Sequence, residues 1–280
     1  MVSKLCRTGF WLVPVLATAV SAAEPDRRVA DAAKARDVKA LAALVRQKAD
    51  VNVPQADGAT ALHWAAHWDD AAMAGQLLSA GARVAALNDY GVMPIFLAST
   101  NGSDRMIDLL IKAGASPNAA LPTGETVLMT ASRTGKAEAV KALLAKGADV
   151  NAKQNSKGQT ALMWAVSERH LPAVEALVAG GADVRARTAA GFTPLLFAVR
   201  EGDQATVSFL LGHGADINEA APDGSTPLLV AAVRGHVPLA LFLLERQRSL
   251  HFGPLALFRL LSDRQFARRS LAFQLDFVRD

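Results

Sequence analysis

The residues in this chain best spaced for chemistry are His63 and His67, four apart, with Asp69 and Asp70 just beyond them. Histidines at i and i+4 share one face of a helix and can grip a zinc ion from that side. The helix lacks the glutamate of an H-E-x-x-H site, so a zinc-dependent or other hydrolytic enzyme working from the His63/His67 face is the alternative reading rather than the leading one. No G-x-S-x-G elbow, phosphate-cradling glycine loop or pair of carboxylates at a cleft is visible elsewhere. The single cysteine, Cys6, lies near the start of the chain, so the repeats beyond it have no thiol for a disulfide, a thiolate metal site or a nucleophile. These residues imply no cofactor and no catalytic group.

The histidines belong to a repeated phrase, and the phrase sets the architecture. Glycines at Gly58, Gly91, Gly124, Gly158, Gly191 and Gly224 are spaced 33, 33, 34, 33 and 33 residues apart. A period near 33 means one short structural unit stacked many times. In the copy that opens at Gly124, Thr126 is placed to cap a helix in which Leu128 and Ala131 share a face. Gly135 falls where a left-handed helix end is needed. A second helix is expected from about Ala137 to Lys146, with Val140, Leu143 and Leu144 as a buried stripe. Gly147 ends it, and Asp149-Val150-Asn151 returns as a loop. The chain is 51% apolar and only 6% aromatic, as close stacking of alanine-rich helices requires. Trp64, Phe96, Trp164 and Phe197 read as core fillers of the first helices.

The other copies repeat Thr60-Ala61-Leu62-His63-Trp64-Ala65-Ala66, Met93-Pro94-Ile95-Phe96, Thr160-Ala161-Leu162-Met163, Thr193-Pro194-Leu195-Leu196 and Thr226-Pro227-Leu228-Leu229. Each is followed by Leu-Leu or Leu-Val, and the loops Gly147-Ala148-Asp149-Val150-Asn151 and Gly214-Ala215-Asp216-Ile217-Asn218 match in register. On these phrases the chain resembles the ankyrin-repeat family. The resemblance implies an all-α repeat solenoid of helix pairs joined by β-hairpin or loop connections, spanning six repeats over 58–245. A degenerate capping repeat is expected over 24–57. The signature histidine survives only at His63; Phe96, Met129, Met163, Leu196 and Leu229 hold its place elsewhere, so an apolar contact is expected to replace its hydrogen bonds.

The resemblance further implies a non-catalytic scaffold that binds a partner protein through a concave groove and the hairpin tips. Carried over to this chain, the partner-binding positions are His67, Trp68, Tyr90, Val92, Thr100, Asn101, Glu125, Arg133, Thr134, Ser167, Glu168, Phe192, Arg200, Glu201, Asp223 and Arg234. Trp68 and Tyr90 lead this set, since aromatic side chains dominate contact hot spots.

Both ends depart from the repeat. Lys4 and Arg7 precede an apolar run from Phe10 to Val20, and Ala22 or Ala23 ends a small-x-small cleavage pattern. Residues 1–23 therefore read as a signal peptide that exports the protein to the periplasm or the medium, with a retained anchor as the rival. After Glu245 the phrase stops, and 246–280 is rich in arginine and phenylalanine. That tail reads as a divergent cap packed through Leu255, Phe258 and Leu261, as a basic segment touching membrane, or as a shifted reading frame. Between Glu24 and Glu245 there are 21 basic and 23 acidic residues. The array thus lacks the basic footprint that nucleic-acid binding needs. A monomer is expected.

Overall fold

The computed structural model describes residues 26–248. Residues 1–25, with the expected signal peptide and Cys6, and the tail from 249 onward with Leu255, Phe258 and Leu261, lie outside the described residues. Within 26–248, fourteen helices form seven pairs in chain order. The first four pairs are α1 (Arg28–Lys34) with α2 (Val38–Arg46), α3 (Ala61–His67) with α4 (Ala71–Ser79), α5 (Pro94–Asn101) with α6 (Asp104–Lys112), and α7 (Val127–Arg133) with α8 (Ala137–Ala145). The remaining three are α9 (Ala161–Ser167) with α10 (Leu171–Ala179), α11 (Pro194–Arg200) with α12 (Gln204–Gly212), and α13 (Pro227–Val233) with α14 (Val237–Arg248). Odd-numbered helices pack on odd-numbered neighbours from α1 to α13, and even-numbered ones stack behind them from α2 to α12. The described residues are an all-α repeat solenoid.

Short helices of this kind need their ends satisfied, because each leaves free N–H groups in its first turn. Thr126, Thr160, Thr193 and Thr226 accept from the backbone N–H three residues on. Asp37, Asp70, Ser103 and Asp203 do the same for second helices. Proline takes the first position of α5, α11 and α13, where its missing N–H costs nothing. Gly135 has φ +71, and a Cβ there would come within 2.7 Å of the His170 ring.

The core runs the length of the array. Ala65, Ala98, Ala131, Ala165, Ala198 and Ala231 are sealed at the helix crossings, as are Leu77, Leu110, Leu143, Leu177, Leu210 and Leu243. Two expectations change. Leu143 is fully buried while Leu144 is only half-buried, so Leu143 carries the middle of the array. Phe96 and Phe197 are core residues, but Trp64 and Trp164 are only half-buried, with part of each ring left in solvent.

The connections are fingers rather than strand pairs. Among the described residues there is no strand, and one isolated bridge joins Ala120 and Thr126. Each finger closes on itself: Asn88 N–H donates to the Val92 carbonyl and Gly91 N–H to the Asn88 carbonyl, and the finger at Leu121–Glu125 repeats both bonds. Gly58 holds φ +77 at such a tip, and a Cβ there would lie 2.7 Å from the Asp89 nitrogen. That closeness lets Asp89 N–H reach the Asp57 carbonyl of the previous finger at 3.0 Å.

Candidate protein-interaction face

His63 is buried at the base of α3, and its ring is fully committed. Nδ1 accepts from Thr60 N–H at 3.1 Å and from Thr60 Oγ1 at 2.9 Å, while Nε2–H donates to the Val92 carbonyl at 2.9 Å. These roles are mutually consistent only for a neutral ring. Burial holds the His63 imidazole below the ordinary histidine value, partly offset by the Val92 bond and the Asp57 charge. A metal at His63 would have to break these bonds, and His67 sits exposed on the far end of the helix, packed against tryptophans. His63 is a clamp between neighbouring repeats. Its replacements differ: at Met129 the sulfur itself lies 3.4 Å from Thr126 N–H, a weak copy of the histidine bond where only apolar contact was expected.

The end of α3 carries a plate of rings. Trp64 and Trp68 stack with centroids 6.2 Å apart, and His67 meets Trp68 at 4.6 Å and Trp64 at 5.7 Å. Trp68 is 38% exposed, so part of this large ring stays in water despite its ring contacts. Trp64 Nε1–H donates to Gln55 Oε1, and Gln55 in turn donates to Asp31. Lys34 lies 4.9 Å over the Trp64 ring and Arg36 lies 5.7 Å from the Trp68 centroid. Beside the plate, Asp57, Ala59, His63, Trp64, His67, Asn88 and Leu97 enclose a cleft of about 230 Å³ between fingers and first helices.

The same device recurs one hundred residues on with a different charge balance. Arg133 stands 5.5 Å over Trp164, but it is ion-paired to Glu125 at 3.4 Å. The Trp164 indole N–H is buried without a partner. Its would-be acceptor, Gln154, is occupied inside a finger one residue longer than the others, where it accepts from Lys157 N–H. Arg200, over the Phe197 ring at 4.9 Å, is paired with Glu201 at 2.8 Å.

Of the positions expected to meet a partner, the structure gathers His67 and Trp68 with Trp64, and sets Tyr90, 78% exposed, at the next finger tip. Thr100, Glu168 and Asp223 are exposed, and Val92, Thr134, Ser167 and Arg234 are half-buried. The Asn101 amide is spent on the carbonyls of Ala66 and His67, both 2.9 Å away. Phe192 is a correction: at 4% exposure it belongs to the core and presents nothing to a partner. Sequence reasoning passed over Arg36 and left Lys34 within the capping repeat. Lys34 nevertheless falls at the same register as His67, Arg133 and Arg200, and that spacing was its signal.

Stacked helix pairs, laced by fingers and offering one continuous face, define a helical-repeat solenoid built for surface contact. The chain belongs to the ankyrin-repeat family: the family model for ankyrin repeats (3 copies) matches residues 29–120, 95–188 and 181–251. Ankyrin repeats generally mediate protein–protein interaction. The chain is similar to zygote-specific protein 3 of Chlamydomonas reinhardtii, 37% identical over 115 residues, or 40% of this chain. It covers only 30% of that protein's length. Among solved structures it is similar to the human ASB11 ankyrin repeat domain, with a TM-score of 0.66 and 25% identity, over 76% of this chain and 96% of that one. No helix among the described residues is long and apolar enough to cross a membrane.

Proposed function

We propose that this protein is a monomeric, non-catalytic scaffold, exported by its leader, that binds another protein along the face formed by the fingers and first helices. The observation that carries the reading is the pair of large aromatics left in solvent on that face, Trp68 and Tyr90. Hot spots are enriched in tryptophan, tyrosine and arginine, and the face adds Arg133, Arg200 and Arg234 to these rings. His63 has no free ring nitrogen, which removes the main support for a hydrolytic metal site. Photo-crosslinking in the native compartment tests the proposal. A photoreactive residue at 68 or 90 should give the same discrete adduct, whereas one at exposed Val38 or Leu241 on second helices should give none. Equal adducts from all four positions would overturn it.

A further inference from the structure

We propose that the N-terminal third of this face takes an acidic peptide segment carrying one large apolar or aromatic side chain. The inference rests on the interaction reading above and names the chemistry of the partner. Lys34 and Arg36 are exposed, and neither forms an ion pair with a carboxylate among the described residues, whereas Arg133 and Arg200 farther along are each neutralised by a glutamate. A cation poised on an indole face is held in place and partly desolvated, so an incoming carboxylate meets a pre-oriented charge. Arg36 keeps φ +56, a left-handed backbone that Gly102, Gly202 and Gly235 take in register in other repeats. Glycine would relieve the left-handed strain there, but it would remove the guanidinium from Trp68.

The adjoining cleft of about 230 Å³ is smaller than the pockets that hold small-molecule ligands. It suits one bulky side chain, gripped between Trp64 and Leu97. Asp57 at its rim offers its second carboxylate oxygen to a backbone N–H of an extended segment, whereas Asn88 Oδ1 is already spent on the Tyr90 and Val92 N–H groups. A nucleic-acid strand fits less well, because Lys34 and Arg36 form a local pair and not a track along a phosphate backbone. Asp57, Asp69 and Asp89 flank that pair, so attraction is confined to a short segment whose carboxylates reach Lys34 and Arg36 themselves.

The probe is acetyl-Glu-Glu-Phe-Glu-Glu-amide, added to the full chain labelled with nitrogen-15 in its tryptophan indoles. Saturable shifts are expected at the Trp64 and Trp68 indoles, with Trp164 unmoved, and raised salt should weaken the binding. Trp68→Ala and Arg36→Gly should each weaken it about fivefold or more, the loss expected of one cation–aromatic contact. Because Arg36→Gly relaxes the backbone, its melting temperature should hold or rise, which separates lost binding from lost folding. The inference is overturned if the lysine counterpart of the peptide binds as well. It is equally overturned if an oligothymidylate moves the same indoles, if binding survives both substitutions and so belongs to the arginines beyond Glu245, or if no shift occurs at millimolar peptide. A discrete crosslinked partner at Trp68 and Tyr90 alongside such a failure would leave the interaction face standing and remove only its acidic preference.

Discussion

Two neighbouring junctions in this array bury similar helices yet are tied very differently. Where the α3–α4 pair meets α5–α6, three ties cross. Asp89 N–H meets the Asp57 carbonyl, His63 meets Val92, and Asn101 reaches back to Ala66 and His67. Where α5–α6 meets α7–α8, all three register equivalents are missing. Phe96 stands for His63, Thr134 bonds to its own helix where Asn101 reached back, and Pro122, which has no N–H, stands by register opposite Tyr90 where Asp89 met Asp57. Two solvent-facing ties cross that second junction instead: Asn118 donates to the Gly147 carbonyl and accepts from the Asp149 N–H, and Asp108 pairs with Lys146 at 3.0 Å. In a solenoid, stability is the sum of each unit and its interfaces with neighbours. The second junction therefore rests mainly on apolar packing, since solvent-exposed bonds and ion pairs contribute little.

The largest expected effect breaks the comparison at its apolar base. Leu110→Ala on α6 and Leu77→Ala on α4 both empty fully buried sites and should cost about 2–5 kcal/mol each. They should differ in form. Leu110→Ala should split denaturant unfolding into two transitions, because little else couples the flanking blocks, while Leu77→Ala should keep one. Circular dichroism combined with Trp164 fluorescence reads the difference. A single coincident transition in both variants would mean that the second junction is no weaker than the first.

Next in size is the histidine clamp. His63→Ala strands the buried Thr60 N–H and the Val92 carbonyl, and should cost about 2–3 kcal/mol. The clamp is also acid-labile. Burial depresses the folded-state pKa of His63, so on acidification the unfolded chain takes up its proton first. The stabilisation is fully present above the ordinary histidine value, about 6.5, and is lost as pH falls below it. The slope approaches about 1.4 kcal/mol per pH unit. His63→Phe, which imitates Phe96, should flatten this dependence in urea melts at pH 5 and 7. A variant with the wild-type slope would place the titrating group elsewhere.

Much of this was legible beforehand, for physical reasons particular to each residue. The opening glycines, the capping threonines and the leucines of the second helices each answer a local demand, so their spacing alone located the helices. Phe192 misled because a finger residue beside a glycine can turn inward as easily as outward, and only the packed neighbours decide. Trp64 misled in the opposite sense: its apolar body suited a core, but its indole N–H needed an acceptor and found Gln55 on the finger. Lys34, within the capping repeat, and Arg36 gave no sign of a contact until the rings beneath them, thirty residues on, were in place. The missing ties at Phe96 and Pro122 are visible as departures from the phrase, but an absent bond acquires meaning only once its counterpart has been seen.

The smallest effect comes from adding to the first junction the asparagine tie that Asn118 already supplies to the second. Ala85 is exposed, so an asparagine side chain enters without displacing anything. By register with Asn52 and Asn118, Ala85→Asn should donate to the Gly114 carbonyl and accept from the Ser116 N–H. Both partners are solvent-facing, so the gain is that of exchanging water for a fixed bond, about 0.5–1.5 kcal/mol. Global stability is a poor place to look for so small a change. Hydrogen exchange of the α3 and α5 amides that open through this junction is better: about 1 kcal/mol should slow them roughly fivefold, leaving α9 unchanged. Asn118→Ala should do the reverse at the second junction, and by more, because no buried clamp remains there to share the strain of opening. If the two substitutions shift exchange equally, the ties act independently and the weakness of the second junction is additive. If Asn118→Ala has the larger effect, that one asparagine is holding together two blocks that otherwise open apart.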